Sequence, residues 1–126
     1  MAKNPQSTEP TKAELEILSV LWENGPCTVR FVHEQLNTKK GLLYTSTLKQ
    51  MQVMTGKGLL SRDESQMKHV YKPVAKQEKI KEHLLGKLLD RFYKGSSSSL
   101  IMQLLGNKRT SKEDIEFLKE QLRKMK

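Results

Sequence analysis

The 126-residue chain carries 23 lysines and arginines against 14 aspartates and glutamates, a net charge of +9, with 36% hydrophobic and 6% aromatic residues. That length holds one small domain with room for an oligomerisation element, and so thin an apolar content argues against a large self-sufficient core. The single cysteine, Cys27, excludes an internal disulfide framework and fits a reducing cytosol; no apolar run reaches the roughly 18 residues of a membrane span, so no membrane insertion is expected.

Residues 1–10 are polar and read as a disordered tail. Thr11-Lys12-Ala13-Glu14 is a capping-box pattern, and Leu15, Leu18, Leu21 and Trp22 then recur at helical spacing until Asn24-Gly25-Pro26 stops the helix. Thr28 caps a shorter helix with Val29, Val32 and Leu36 on one side, closed by the polar run 37–41. A third helix runs from Tyr44 to Lys57-Gly58. Its apolar side is read as Tyr44, Leu48, Met51 and Met54, and its polar side as Thr45, Ser46, Lys49 and Gln50, with Val53.

Residues 59–62 and 69–72 alternate like strands across a polar turn, and Pro73 ends the second because it has no N–H to donate. Three helices and a hairpin in this order predict a mainly α fold, a winged helix-turn-helix over 11–74. From Ala75 to Tyr93 a long amphipathic helix follows, with Ile80, Leu84, Leu88 and Phe92 on one stripe. Ser96–Ser99 read as a hinge and helix start before Leu100, Ile101, Leu104 and Leu105. Ser111-Lys112-Glu113-Asp114 resembles a second capping box and opens a helix with Ile115, Leu118 and Leu122 on one face. These stripes are too thin for a monomeric core, so 75–126 is expected to be a helical dimerisation region.

Charge is unevenly spread. Residues 1–38 hold three basic and five acidic side chains, whereas 39–74 hold seven and two, a net +5 on the third helix and wing. That segregation points to an anionic partner, nucleic acid before membrane. A helix presenting Thr45, Ser46, Lys49 and Gln50 can enter a major groove about 12 Å wide. Arg62, Lys68 and Lys72 on the hairpin, Thr28 and Arg30 at the second helix, Tyr44, and His69 when protonated, are candidates for phosphate contacts. Chemistry of other kinds finds no support. Ser96–Ser99 lack a partnered base, and His33, His69 and His83 have no metal-ligand spacing. Glu14/Glu16 and Asp63/Glu64 look like solvated surface, and no cofactor is implied. Cys27, just before a helix start, has a position that can lower a thiol pKa, but it reads first as a small, partly buried residue beside the helix cap. The competing reading is a winged-helix module whose third helix, with its polar Gln50, binds a partner protein.

Residues 11–18 (Thr-Lys-Ala-Glu-Leu-Glu-Ile-Leu), Leu21-Trp22 and Gly25-Pro26-Cys27-Thr28-Val29-Arg30 are similar to the opening of the penicillinase repressors. Tyr44-Thr45-Ser46-Thr47-Leu48, Lys57-Gly58-Leu59 and His69-Val70-Tyr71-Lys72-Pro73 continue the resemblance in order. The family comprises the beta-lactamase and methicillin-resistance repressors and copper-responsive relatives. The resemblance implies a homodimer reading a palindromic operator, often with TACA/TGTA-like half-sites, through the start of the third helix at Thr45, Ser46 and Lys49. Gln50 and Val53 depart from the family's usual Leu and Arg, and the chain ends without the Cys-x-Cys cluster of the copper-responsive members. Beta-lactam-responsive members are inactivated by cleavage at an Asn-Phe bond, under a membrane sensor metalloprotease. The aligned pair here is Gln103-Leu104.

Overall fold

Thr11 Oγ1 accepts the Glu14 N–H at 3.2 Å and Glu14 Oε1 accepts the Thr11 N–H at 2.9 Å, so the first helix opens where its capping box lies. The computed structural model describes residues 9–37 and 41–125. Its elements are α1 (Lys12–Asn24), α2 (Val29–Leu36), α3 (Tyr44–Gly56), β1 (Leu60–Asp63), β2 (Val70–Pro73), α4 (Gln77–Phe92), α5 (Ser97–Leu105) and α6 (Lys112–Lys124). Three helices followed by an antiparallel hairpin make a winged helix-turn-helix, as expected. Most of the expected tail lies outside the described residues. Pro10 does not belong to a tail: it is buried immediately before the cap, where an apolar residue can pack back on the first turn.

The chain divides into two compact units, Met1–Ile80 and Lys81–Lys126. In the first, Ile17, Leu18 and Leu21 of α1 form one core with Val32 of α2, Met51 and Met54 of α3, and Leu60 and Tyr71 of the hairpin. Fully burying an aliphatic side chain of this size contributes about 1.5–3 kcal/mol. On α3 the buried set is Thr47, Met51 and Met54, whereas Tyr44 is exposed and Leu48 half-buried. Met51 and Met54 face the core as expected and Leu48 packs partly against it, while Thr47 is turned inward in place of Tyr44. Thr47 tolerates burial because its hydroxyl meets His33 Nδ1 at 3.0 Å.

β1 and β2 pair from Leu60↔Pro73 to Asp63↔Val70, each beginning one residue later than the alternation suggests. The shift has a local cause. Gly58 takes a left-handed φ of 87°, and the Leu59 N–H is spent on Met54 O at 2.9 Å to close α3. Cys27 adds a one-residue bridge to the sheet: its N–H donates to Tyr71 O at 3.0 Å, and the Tyr71 N–H to Cys27 O at 2.8 Å. Beyond the hairpin, the Val74 N–H donates to Leu59 O at 2.9 Å and Trp22 Nε1–H to Ala75 O at 3.0 Å. Those bonds hold Val74 and Ala75 in a bend after the strand, so α4 begins at Gln77 instead of Ala75.

In the second unit, Lys94 and Gly95 have φ of 50° and 78° and terminate the turn after α4. Ser96 Oγ accepts the Ser99 N–H at 3.1 Å, which places Ser97–Ser99 inside α5. Ser111 and Asp114 form the second capping box, at 3.0 and 2.9 Å. No residue from Lys81 to Met125 is buried within the single chain. Leu88, Phe92, Ile101, Leu104, Leu105, Leu118 and Leu122 are exposed, and Leu84, Leu100 and Ile115 half-buried. Ile80 departs from the expected dimerisation stripe: it is buried in the first unit, beside Leu59, Val74 and Ala75.

Leu18 has no exposed surface. Leu18→Ala is therefore expected to cost about 2–5 kcal/mol, read as a lower midpoint in urea melts followed by Trp22 fluorescence.

Candidate nucleic-acid interface

With Thr47, Met51 and Met54 turned inward, α3 presents Thr45, Lys49, Gln52 and Val53 as an exposed ridge at helical spacing. Gln52 escaped the sequence reading; its position three residues after Lys49 was the signal that places it there. Leu43 is the N-cap of α3 and gives no side-chain hydrogen bond, whereas Thr11, Thr28, Ser96 and Ser111 each cap the helix they precede. The Ser46 N–H turns to Leu43 O at 3.0 Å, and the N-cap gives the Tyr44 and Thr45 amides no side-chain acceptor, an arrangement suited to an anion.

Beside this ridge, a cleft of about 370 Å³ opens between the starts of α2 and α3 and the wing. Thr28, Arg30, Tyr44, Lys68 and His69 line it together, five of the side chains expected at phosphates. Val29, Leu48 and Tyr71 supply its apolar wall. Met67, 99% exposed on the wing turn, also borders it and was hidden in a segment read only as polar. The Arg30 guanidinium lies 5.4 Å from the centre of the Tyr44 ring, and the His33 ring meets Tyr44 edge-on at 5.6 Å. Tyr44 is therefore held by a cation–π contact and an aromatic edge while its ring stays accessible. Thr28 Oγ1 accepts the Phe31 N–H at 3.1 Å, so it caps α2 and keeps its own hydroxyl proton to donate.

Other expected residues stand apart from the cleft. Ser46 is exposed on the flank of α3 and borders a second groove with Ala13, Glu16, Leu36 and Leu42. Gln50 also lines that groove and is half-buried, its Nε2 donating to Glu14 Oε2 at 3.4 Å; it turns toward α1 and not outward with Lys49. Glu14 is itself a correction. It is 1% exposed and paired with Lys57 Nζ at 2.7 Å, so it is no part of a solvated surface. Lys72 is exposed on β2. Arg62 is engaged by the Tyr71 hydroxyl across the strand pair and by Glu64, and both hold its guanidinium firmly protonated. Lys39 and Lys40, two of the cations in the basic stretch, lie outside the described residues.

Cys27 is buried, and desolvation pushes its thiol above the ordinary value of 9.0, the opposite of the lowered pKa its place before α2 suggested. Its Sγ lies 3.1 Å from Gly25 O. Among the described residues, no three His, Cys, Asp or Glu side chains gather into a metal-holding group, and no helix is long and apolar enough to cross a membrane.

Residues 10–124 match the penicillinase repressor family. The chain belongs to that family. It is 29% identical over 119 residues to the penicillinase repressor of Bacillus licheniformis, covering 94% of this chain and 90% of that protein. The solution structure of the DNA-binding domain of the repressor BlaI is also similar, at 26% identity and a TM-score of 0.48, covering 61% of this chain and 90% of that one. Penicillinase repressors are regulators and not an enzyme class, in keeping with a site made of hydroxyls, cations and one clamped aromatic.

At the wing, Asp63 Oδ1 accepts the Ser65 N–H at 2.9 Å. That bond, then the Ser65 hydroxyl and the nearby charge of Lys72, holds the Asp63 carboxyl below its ordinary 3.8. Because the folded value is the lower one, the turn's contribution is present above the ordinary range and is lost as pH falls through the folded value. Side-chain carbonyl NMR should place the Asp63 midpoint below 3.8, and Ser65→Ala should move it upward.

Proposed function

We propose that the chain is a dimeric transcriptional repressor that reads a palindromic operator in double-stranded DNA with α3 and the wing. The observation that carries this reading is the placement of the cleft's Arg30, Tyr44, Lys68 and His69 directly beside the exposed ridge of Thr45 and Lys49. Lys49 and Thr45, with Ser46 at the flank, meet base edges, while Thr28, Arg30, Tyr44, Lys68 and His69 meet the phosphates bordering the groove. Arg62 and Lys72 add positive charge on the strands. Dimerisation draws support from the second unit, which buries no residue as a single chain and exposes apolar side chains on α4, α5 and α6. The protein-interaction alternative rested on a polar Gln50 offered to a partner and on a third helix with one cation before Lys57; the bond of Gln50 to Glu14 removes the first of these.

Release by a membrane sensor metalloprotease belongs to the same proposal. Gln103 and Leu104 are exposed in α5, and a cut between them would sever a helix that contributes Ile101, Leu104 and Leu105 to the dimer surface.

A fragment carrying an inverted repeat from the protein's own promoter should bind at least about 10³-fold more tightly than random DNA, with log affinity falling linearly with log salt. Lys49→Ala should weaken operator binding more than random binding. Lys68→Ala should weaken both alike and reduce the salt slope by about 1. Equal binding of operator and random DNA by the unaltered protein sinks the repressor reading.

For the dimer, sedimentation should show a twofold mass for the unaltered protein and a monomer for Leu118→Asp. A variant that keeps the larger mass removes α6 from the interface.

A further inference from the structure

The two oxygens of the buried Glu14 carboxylate have separate partners. Oε1 accepts the Thr11 N–H at 2.9 Å and closes the cap of α1. Oε2 reaches the other way, to Lys57 Nζ at 2.7 Å and Gln50 Nε2 at 3.4 Å. Gln50 lies within α3 and Lys57 is its C-cap. Seven residues are about two helical turns, so both fall on one side of the helix, about 10 Å apart along its axis. A helix gripped at two points along one side is fixed in rotation as well as in distance.

The apolar packing of α3 is adaptable, with Leu48 half-buried at its edge, and the Thr47–His33 bond holds the helix at its other end only. Its buried residues are Thr47 and two methionines, Met51 and Met54. Methionine has three rotatable bonds and adapts to altered surroundings, so a face built on it sets an angle weakly. Hydrogen bonds to a buried charge are short-ranged and directional, and they discriminate between rotations that methionine would tolerate. Thr45 and Lys49, whose aim matters most at a base edge, leave the helix on the exposed side.

We propose that Glu14 is a positioning residue: through Gln50 and Lys57 it sets the rotation of α3 and hence the base preference of the protein. The proposal rests on the reading that α3 meets DNA. Glu14 is buried, so its effect on recognition travels through α3.

Glu14→Gln separates its two tasks. The amide oxygen still accepts the Thr11 N–H, while the NH₂ group faces Lys57, a donor only, and Gln50, which can meet it only by turning its own carbonyl oxygen inward. Lys57→Met keeps an apolar stem, leaves the cap of α1 untouched and removes the cation. It carries the test if the first variant fails to fold. The readout is the ratio of operator to random-DNA affinity, measured on protein verified as folded by circular dichroism. Each folded variant is expected to lower that ratio at least tenfold, with the salt slope on random DNA within one unit of the unaltered protein for Glu14→Gln. A purely structural role would reduce the active fraction, scaling both affinities alike and leaving the ratio where it was. An unchanged ratio in a folded variant overturns the proposal. A ratio of one in the unaltered protein strikes down the DNA reading itself, so the two failures are told apart.

Discussion

A carboxylate taken out of water at Glu14 has to be met by donors, and those that meet it come from the start of α1, the body of α3 and the end of α3. Removing a donor leaves the buried charge undercompensated, whereas Lys57, itself 32% exposed, can return to water. The first unit is built around that requirement. It brings α1 and α3 together at one end, and the core from Ile17 to Met54 completes the contact. The hairpin then follows α3 directly, through Gly58 and the Leu59–Met54 bond, so the wing inherits its position from the same helix. Ridge, cleft and wing are consequences of how α3 is held.

What the sequence made legible was local. Thr11 with Glu14 and Ser111 with Asp114 signal their helices because the bonded groups sit three residues apart, within reach of any chain that begins a helix there. The chemical character of the interface was legible too, since hydroxyls and cations cluster in the stretch that becomes α3 and the wing. The aim of those side chains was not. Reading Tyr44 as inward followed apolarity, yet it is exposed and Thr47 goes in, because His33 on α2 satisfies its hydroxyl. Gln50 looked like a surface residue because its partner, Glu14, is 36 residues away in the chain. Cys27 looked like a loop residue beside a cap, and its pairing with Tyr71 joins segments on either side of α2 and α3. Ile80 fits an amphipathic stripe by period alone, but the period does not say which unit claims the first turn of α4.

The two units differ in what stabilises them. The first has aliphatic, aromatic and methionine side chains closed over one another, and its polar burial is matched by hydrogen bonds. The second has caps, hinges and exposed ion pairs such as Arg123–Glu120 at 2.7 Å, but no interior of its own. Exposed pairs of that kind contribute little. Apolar stripes without an interior leave that region little to stabilise it as a single chain, and any association that covered them would couple its folding to concentration.

Trp22, the only tryptophan in the sequence, lies half-buried on α1 and donates its indole N–H to Ala75 O at the exit from the hairpin. Its emission reports on the first unit and on the few residues that lead into α4, while circular dichroism is summed over helices in both units. The chain therefore carries a built-in optical label for one half alone. Two melts recorded on the same sample, one by fluorescence and one by ellipticity, separate the unfolding of the first unit from that of the second without any added probe.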